Sequence, residues 1–216
     1  MSGRVGEPIE RESYVAYGHP VPTEVVIVQH AEKERRAGDA GLTGHGRAQA
    51  ARTASHLAGS VRPAALYASP MRRALETATP IAETFELKIS IDSRLRERMN
   101  WEGEGGQPIE DFLAEWARAS IDRDHVPSSG DTSRQAGQRF LEAIDELADR
   151  HADQVTLVVS HGGVTVDLLR TLLGDEAVAG SLPGLILDGV PSCAITRLVK
   201  APHGWEATEI ASTEHL

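Results

Sequence analysis

The sequence predicts an α/β fold, a three-layer sandwich in which a mostly parallel central sheet lies between two layers of helices. Short, continuous apolar runs at residues 25–28 and 155–159 are typical of parallel strands that are buried on both faces. Stretches of helical character alternate with such runs, and this alternation is typical of βαβ units. The chain has 216 residues, of which 40% are hydrophobic, so one domain with its own core is expected.

The first predicted elements are an arm, a strand and a helix. Residues 1–22 are polar and contain Gly and Pro, so we expect an N-terminal arm ahead of a single domain at residues 23–216. A strand is predicted at residues 24–30. A helix should follow from about residue 43 to residue 57, because Thr43 suits an N-cap and alanines favour the helical state.

The next helix is predicted from its start signal. A short strand at residues 64–68 ends in Ser69 and Pro70, which suit an N-cap and the first helical position, so a helix is expected from Pro70 to about residue 85. Similar signals predict the remaining elements: a strand at 88–91, a glycine-rich loop at 101–108, helices at 109–119 and 132–151, a strand at 154–160, a helix at 163–173, a loop or lid at 174–192, and strands at 194–199 and 206–210.

Charge and composition narrow the classes of partner. The net charge is −10, which disfavours nucleic acid and anionic membranes as partners, although local basic groups can still bind a small anionic substrate. The single cysteine, Cys193, excludes an internal disulfide. The first residues lack the apolar core of a signal peptide, and no apolar run approaches membrane-spanning length. We therefore expect a cytoplasmic protein, and the sequence leaves a homodimer open.

Two histidines follow the two buried strands. His30 comes directly after the first strand and His161 directly after the second, where ligands of open α/β sheets bind. A single histidine at a strand end is as readily structural as functional, but two from distant parts of the chain indicate a site. Gly162 and Gly163 then lead into a helix, whose first N–H groups suit an anion.

Basic residues near the predicted site indicate an anionic ligand. Arg72 and Arg73 fall in the first turn of a predicted helix, where cations oppose the helix macrodipole and have no structural advantage. Glu97 stands among arginines, so it is either ion-paired or available as a general acid. No dinucleotide, Walker or nucleophile-elbow motif and no metal-ligand spacing occurs, so neither a metal nor a cofactor is expected.

Taken together, these segments resemble a known family. Their order and spacing over about residues 23–200 are similar to those of the histidine phosphatase superfamily, with its phosphoglycerate-mutase-like fold. The segments that carry the resemblance are Gln29-His30-Ala31-Glu32, Leu42-Thr43 with Gly46 and Gln49-Ala50, Ser69 to Arg73 with Thr77-Ala78, Leu95 with Glu97, and Ser160-His161-Gly162-Gly163.

The resemblance implies a mechanism. His30 would be the nucleophile that forms a phosphohistidine, Arg73 and His161 would hold the phosphoryl oxygens, and Glu97 would protonate the leaving oxygen and then help to activate water. Gln29 and Gly162 would line the same phosphate pocket. Phosphoryl transfer mainly requires in-line positioning and positive charge around the equatorial oxygens, which this set of residues is suited to supply.

One residue departs from the family pattern. The family signature begins Arg-His-Gly, whereas this chain has Gln29-His30-Ala31, so an amide replaces a guanidinium. A lost hydrogen bond to a charged group slows a reaction about 10- to 100-fold, unless Arg35, Arg36, Arg98 or Arg134 compensates. The prediction is a phosphomonoesterase acting on a small phosphorylated metabolite, attenuated by Gln29. A phospho-ligand-binding relative with little turnover and a mutase-type phosphotransferase stay open as alternatives.

Overall fold

The computed structural model describes residues 22–102, 107–182 and 184–216. The predicted arm, apart from residue 22, and residues 103–106 of the predicted glycine-rich loop lie outside this range. The strands are β1 (Glu24–Gln29), β2 (Pro63–Ala68), β3 (Ile89–Ile91), β4 (Val155–Ser160), β5 (Ile195–Ala201) and β6 (Gly204–Ser212). The helices are α1 (Gly44–Ser60), α2 (Arg72–Phe85), α3 (Ile109–Ile121), α4 (Ser133–Arg150), α5 (Gly162–Leu173), α6 (Asp175–Ser181) and α7 (Leu185–Asp188).

The described strands form one sheet in the order β3-β2-β4-β1-β5-β6. The first four strands of that order run parallel, whereas β5 lies antiparallel to β1, and β6 antiparallel to β5. Every residue of β1 and β4 is buried, as expected of central strands covered on both faces. The predicted α/β fold with a mostly parallel sheet is confirmed.

Alternate residues of β1 serve two cores. Val25 and Ile27 belong to the cluster that includes Phe140 of α4 and Leu168 of α5. Val26 and Val28 belong to a second cluster, which includes Leu57 of α1 and Ile81 of α2. Because successive side chains of a strand point to opposite faces, the sheet has helices on both sides, and its strand ends open at the edge between the layers.

Two local predictions are wrong, and the first concerns the start of α2. Helix α2 begins at Arg72 with Met71 as its N-cap, instead of at Pro70 with Ser69 as the cap. The hydroxyl of Ser69 accepts from the N–H of Met71 at 3.3 Å and also contacts Nε2 of His161 at 2.7 Å. Arg72 and Arg73 thereby become the first two residues of the helix.

The predicted loop at residues 174–192 contains two short helices, α6 and α7. Asp175 and Glu176 stand in the first turn of α6, where acidic groups stabilise a helix through its macrodipole. These two acidic residues could have indicated the start of a helix, but the many Gly and Pro residues of the segment led to the prediction of a loop or lid. Within the described parts of the chain, no helix is long and apolar enough to span a membrane.

Candidate active site

The carboxyl ends of β1 and β4 bring the two predicted histidines together. The strands are parallel neighbours with Gln29 opposite Ser160, and His30 and His161 follow these two residues directly. The ring centroids of the histidines lie 5.2 Å apart with an interplanar angle of 63°. A phosphoryl group approached at roughly 3–3.5 Å can therefore contact both rings.

The environment of His30 leaves one ring nitrogen free to attack. Nδ1 lies 2.8 Å from the carbonyl oxygen of Ala31, and a carbonyl only accepts, so the proton belongs on Nδ1 and Nε2 keeps its lone pair. Burial, the charge of Arg73 and that of Lys33 lower the pKa of His30 to about 3, although the bond to Ala31 opposes the shift. The ring is therefore neutral and nucleophilic at ordinary pH.

The second imidazole, that of His161, is completely buried. Its Nε2 pairs with the Ser69 hydroxyl at 2.7 Å, and its Nδ1 has no hydrogen-bond partner among the described residues. Burial first, and then the charge of Arg73, hold the pKa of His161 well below its ordinary value. Two neutral imidazoles thus lie beside the charge of Arg73, which is the remaining member of the predicted clamp.

Arg73 is a buried guanidinium without an ion-pair partner among the described residues. Only 3% of it is exposed, its Nη1 donates to Oδ1 of Asn100 at 3.4 Å, and its Nε is unpartnered within the described chain. Burial lowers the pKa of Arg73, and the charges of Glu97 and Asp39 oppose that shift. A buried cation left without a carboxylate at hydrogen-bond distance is suited to an anionic ligand.

The side chain of Glu97 lies at the N-terminus of α5, although Glu97 is not part of that helix. Its Oε1 accepts from the backbone N–H groups of Val164 and Arg98, both at 2.8 Å, and its Oε2 accepts from Gly163 at 3.0 Å. The sequence predicted that the first N–H groups of this helix would serve an anionic ligand. Instead, the Glu97 carboxylate takes two of them, which fixes this side chain at the strand ends next to His161.

Gln29 is buried beside Gly162. It is 7% exposed, and its Oε1 has no hydrogen-bond partner among the described residues. A Cβ added to Gly162 would lie 3.3 Å from Nε2 of Gln29 and 2.9 Å from the carbonyl oxygen of Val190. A glycine is therefore required at 162, and the neutral amide of Gln29 lies against it without bringing a positive charge.

The arginines that were candidates to replace the missing charge are mostly committed elsewhere. Arg36 pairs with Glu34, Arg98 with Asp167 and Arg134 with Asp124, and Arg35 is exposed.

Sequence reasoning missed three contributors, namely Lys33, Ser69 as a partner of His161, and Asn100 as a partner of Arg73. Their signal was position: Ser69 directly follows β2 at the same edge of the sheet, and Lys33 comes three residues after His30. No group of three His, Cys, Asp or Glu side chains within the described residues is arranged to hold a metal ion.

Comparisons with known proteins agree with this fold. The sequence matches the family described as histidine phosphatase superfamily (branch 1) over residues 25–213. It is 30% identical over 167 residues to a glucosyl-3-phosphoglycerate phosphatase from Mycolicibacterium vanbaalenii, covering 69% of this chain and 74% of the relative. It is 29% identical over 157 residues to a metal-independent phosphoserine phosphatase from Arabidopsis thaliana, covering 66% of this chain and 65% of that enzyme.

A solved structure extends the likeness to the whole fold. The structure described as Bacillus stearothermophilus YhfR has a TM-score of 0.73 at 25% identity, covering 89% of this chain and 98% of that one. The chain therefore belongs to the histidine phosphatase superfamily, in its branch 1. The class of protein that the fold and the paired histidines define is a phosphatase of this family.

Proposed function

We propose that this protein hydrolyses a small phosphomonoester through a covalent phosphohistidine at His30. The observation that carries the proposal is the state of that ring: Nδ1 donates to Ala31, so Nε2 keeps its lone pair, and the pKa is about 3. A small phosphorylated metabolite as substrate is supported by the two phosphatase relatives, whose names specify phosphoserine and glucosyl-3-phosphoglycerate.

The proposed reaction has two steps. Nε2 of His30 attacks phosphorus, the bond from phosphorus to the ester oxygen breaks, and Glu97 gives its proton to the leaving oxygen. Water then attacks the phosphohistidine, Glu97 takes a proton from that water, and the P–N bond breaks to release phosphate and neutral His30. Arg73 and His161 hold the phosphoryl oxygens throughout, since charge placed in advance around them lowers the barrier.

Two observations support this part for Glu97. Its Oε1 accepts two backbone hydrogen bonds and its Oε2 only one, so Oε2 keeps a lone pair that can carry the proton. The charge of Glu97 also acts on Arg73, which supports a position of the carboxylate near the clamp.

The experiment that tests the proposal is a panel of small phosphomonoesters. Release of inorganic phosphate is measured, and acid-labile phosphate on His30 is sought by mass spectrometry after rapid quenching. We expect release and an adduct with the wild type and neither with His30→Ala. His203→Ala is the matched control, because His203 is exposed in the turn between β5 and β6, at the opposite end of β1.

The alternatives give different results. A mutase transfers the phosphoryl group to another hydroxyl of the product without releasing phosphate. A binding protein takes up inorganic phosphate but forms no adduct and turns nothing over, even at high substrate concentration. Absence of both turnover and adduct on the wild type would therefore refute the proposed hydrolase.

A cytoplasmic location is also proposed. The chain contains one cysteine, and Cys193 is buried as a free thiol, which suits a reducing compartment. Fractionation of cells that express the full chain tests this, and recovery outside the cytoplasmic fraction would contradict it.

A further inference from the structure

We propose that Lys33 supplies the phosphoryl group with the positive charge that Gln29 lacks, so that the phosphate clamp contains two cations, Arg73 and Lys33, in addition to His161. The inference rests on the proposed function, because it concerns the same phosphate pocket. Because Gln29 brings no positive charge next to His30, a second cation at this site must come from another part of the chain.

The chain path places Lys33 beside the site. Lys33 is the third residue after His30, and three extended residues span at most about 10 Å. Lys33 forms an isolated antiparallel bridge with Leu42, whose N–H donates to Oε2 of Glu76 at 2.7 Å. Glu76 lies on α2 one turn after Arg73, so the segment that carries Lys33 packs on the helix that carries Arg73.

The Lys33 ammonium lacks a counterion among the described residues. Its Nζ donates to the backbone carbonyl of Glu34 at 3.4 Å, a bond at the long end of the useful range, and the side chain is half-buried. Burial first, and then the charges of Arg73 and Arg36, lower the pKa of Lys33. In turn the charge of Lys33 lowers the pKa of His30.

Two like charges next to one nucleophile are unfavourable unless an anion joins them. Each cation destabilises the other, and both imidazoles at the strand ends are neutral, so the two cations together favour a bound anion, although the charges of Glu97 and Asp39 partly offset that of Arg73. A phosphoryl group with charge close to −2 matches Arg73 and Lys33 together. With Arg73 alone, one of its two charges would stay uncompensated.

The neighbouring arginines do not offer the same arrangement. Arg36 is half-exposed and paired with Glu34 at 2.7 Å, and Arg72 is paired with Glu76 at 2.6 Å. Lys33 is the charged residue of this segment that combines partial burial with a direct electrostatic effect on His30.

The test compares three single variants by calorimetric titration with inorganic phosphate, alongside phosphate release from the best substrate. Lys33→Gln removes the charge at similar length, Lys33→Arg keeps it, and Lys88→Gln is the matched control. Lys88 is exposed and precedes β3, at the opposite end of the parallel strands. We expect Lys33→Gln to weaken phosphate binding about 10- to 100-fold, Lys33→Arg to retain most of the affinity, and Lys88→Gln to match the wild type.

A charge swap supplies a second, independent readout. In the double variant with Lys33→Gln and Gln29→Arg, a cation returns at the place where the family signature has one. Gln29→Arg should therefore raise phosphate affinity more in the Lys33→Gln background than in the wild type, since two residues that serve one ligand are not additive. Equal effects in both backgrounds would contradict a shared role.

The results separate this inference from the proposed function. If the wild type releases phosphate and Lys33→Gln binds phosphate as tightly as the wild type, the Lys33 assignment is overturned while the hydrolase stands. If the wild type forms no adduct and shows no turnover, but Lys33→Gln still loses phosphate affinity, the hydrolase fails and the clamp stands.

Discussion

At the scale of single residues, burial controls the chemistry of the site more than hydrogen bonding does. Desolvation is the largest cause of the lowered pKa of both His30 and His161, and the charge of Arg73 comes second at each. A nucleophile kept unprotonated in this way does not need an adjacent carboxylate base. The same burial lowers the stability of the folded protein at acidic pH, because the unfolded chain binds protons that the buried rings do not.

The first prediction concerns pH. Because the pKa of His30 is about 3 in the folded state and its ordinary value is 6.5, the unfolded chain binds more protons between these two values. Stability should therefore be highest above pH 6.5 and fall as the pH drops towards 3, with His30 contributing up to about 1.4 kcal/mol per pH unit. In ¹⁵N spectra at pH 5, the His30 ring should still show the neutral form with the proton on Nδ1.

The control for this prediction is His30→Gln, measured by urea unfolding at pH 7 and pH 5. The variant should lose less stability between the two pH values than the wild type does. Equal losses, or an imidazolium signal from His30 at pH 5, would show that burial does not hold this ring neutral.

At the scale of elements, the N-terminus of α5 is capped by the side chain of a residue that is distant in sequence. Glu97, from the segment after β3, accepts from Gly163 and Val164, and α5 begins directly after His161 at the end of β4. A carboxylate here is favoured by the helix macrodipole. One residue therefore stabilises the helix and stands next to the histidine pair, which couples folding of α5 to assembly of the site.

The second prediction is that Gly163→Ala lowers both the stability of the protein and its rate of phosphate release. A Cβ at this position would lie 2.5 Å from Cη2 of Trp116 and 2.8 Å from Oε1 of Glu97, so both side chains must move. We expect a loss of about 1–3 kcal/mol of stability and a clear fall in phosphate release, whereas binding of inorganic phosphate should change less because Arg73 is not displaced.

Gly59→Ala is the matched control, since Gly59 lies inside α1 and a Cβ there meets nothing within 4 Å. That change should stabilise the protein by about 0.5–1 kcal/mol. If Gly163→Ala behaves like Gly59→Ala in both measurements, the close contact at Glu97 does not constrain the site.

At the scale of the whole molecule, the sequence predicted what depends on local pattern. The buried runs that became β1 and β4 and the N-cap Thr43, whose hydroxyl accepts from Gly46 at 2.9 Å, are set by neighbouring residues. The pairing of His30 with His161 followed because parallel strands end at one edge. Contacts between distant segments were out of reach of local pattern: nothing near Ser69 in the chain shows that its hydroxyl contacts His161.

Long-range pairing also explains why the role of Arg98 was left open by the sequence. Its side chain is 1% exposed and forms two bonds to the fully buried Asp167 of α5, at 3.0 and 3.2 Å. The guanidinium also contacts Ser120 of α3 and stacks 4.0 Å from the centre of the Trp116 ring. Ser133 of α4 donates to the same carboxylate at 2.6 Å, so three helices meet at one buried ion pair.

The third prediction follows from the burial of that pair. Arg98→Met should cost about 3–5 kcal/mol, because it leaves the Asp167 carboxylate buried and uncompensated. Burial already raises the pKa of Asp167 to about 6 despite Arg98. The cost should therefore be smaller at pH 5 than at pH 8, since protonation removes the buried charge. Urea unfolding followed by circular dichroism measures this without relying on Trp116 fluorescence, which the substitution itself changes.

Two further variants make the comparison decisive. Adding Asp167→Leu to Arg98→Met should recover part of the lost stability, because apolar groups of similar size can replace a buried pair at little cost. Arg134→Met removes an ion pair whose side chains are 59% and 66% exposed, so it should cost far less stability than Arg98→Met does. If Arg98→Met costs no more than Arg134→Met, the three helices are held together by apolar packing and not by the buried ion pair.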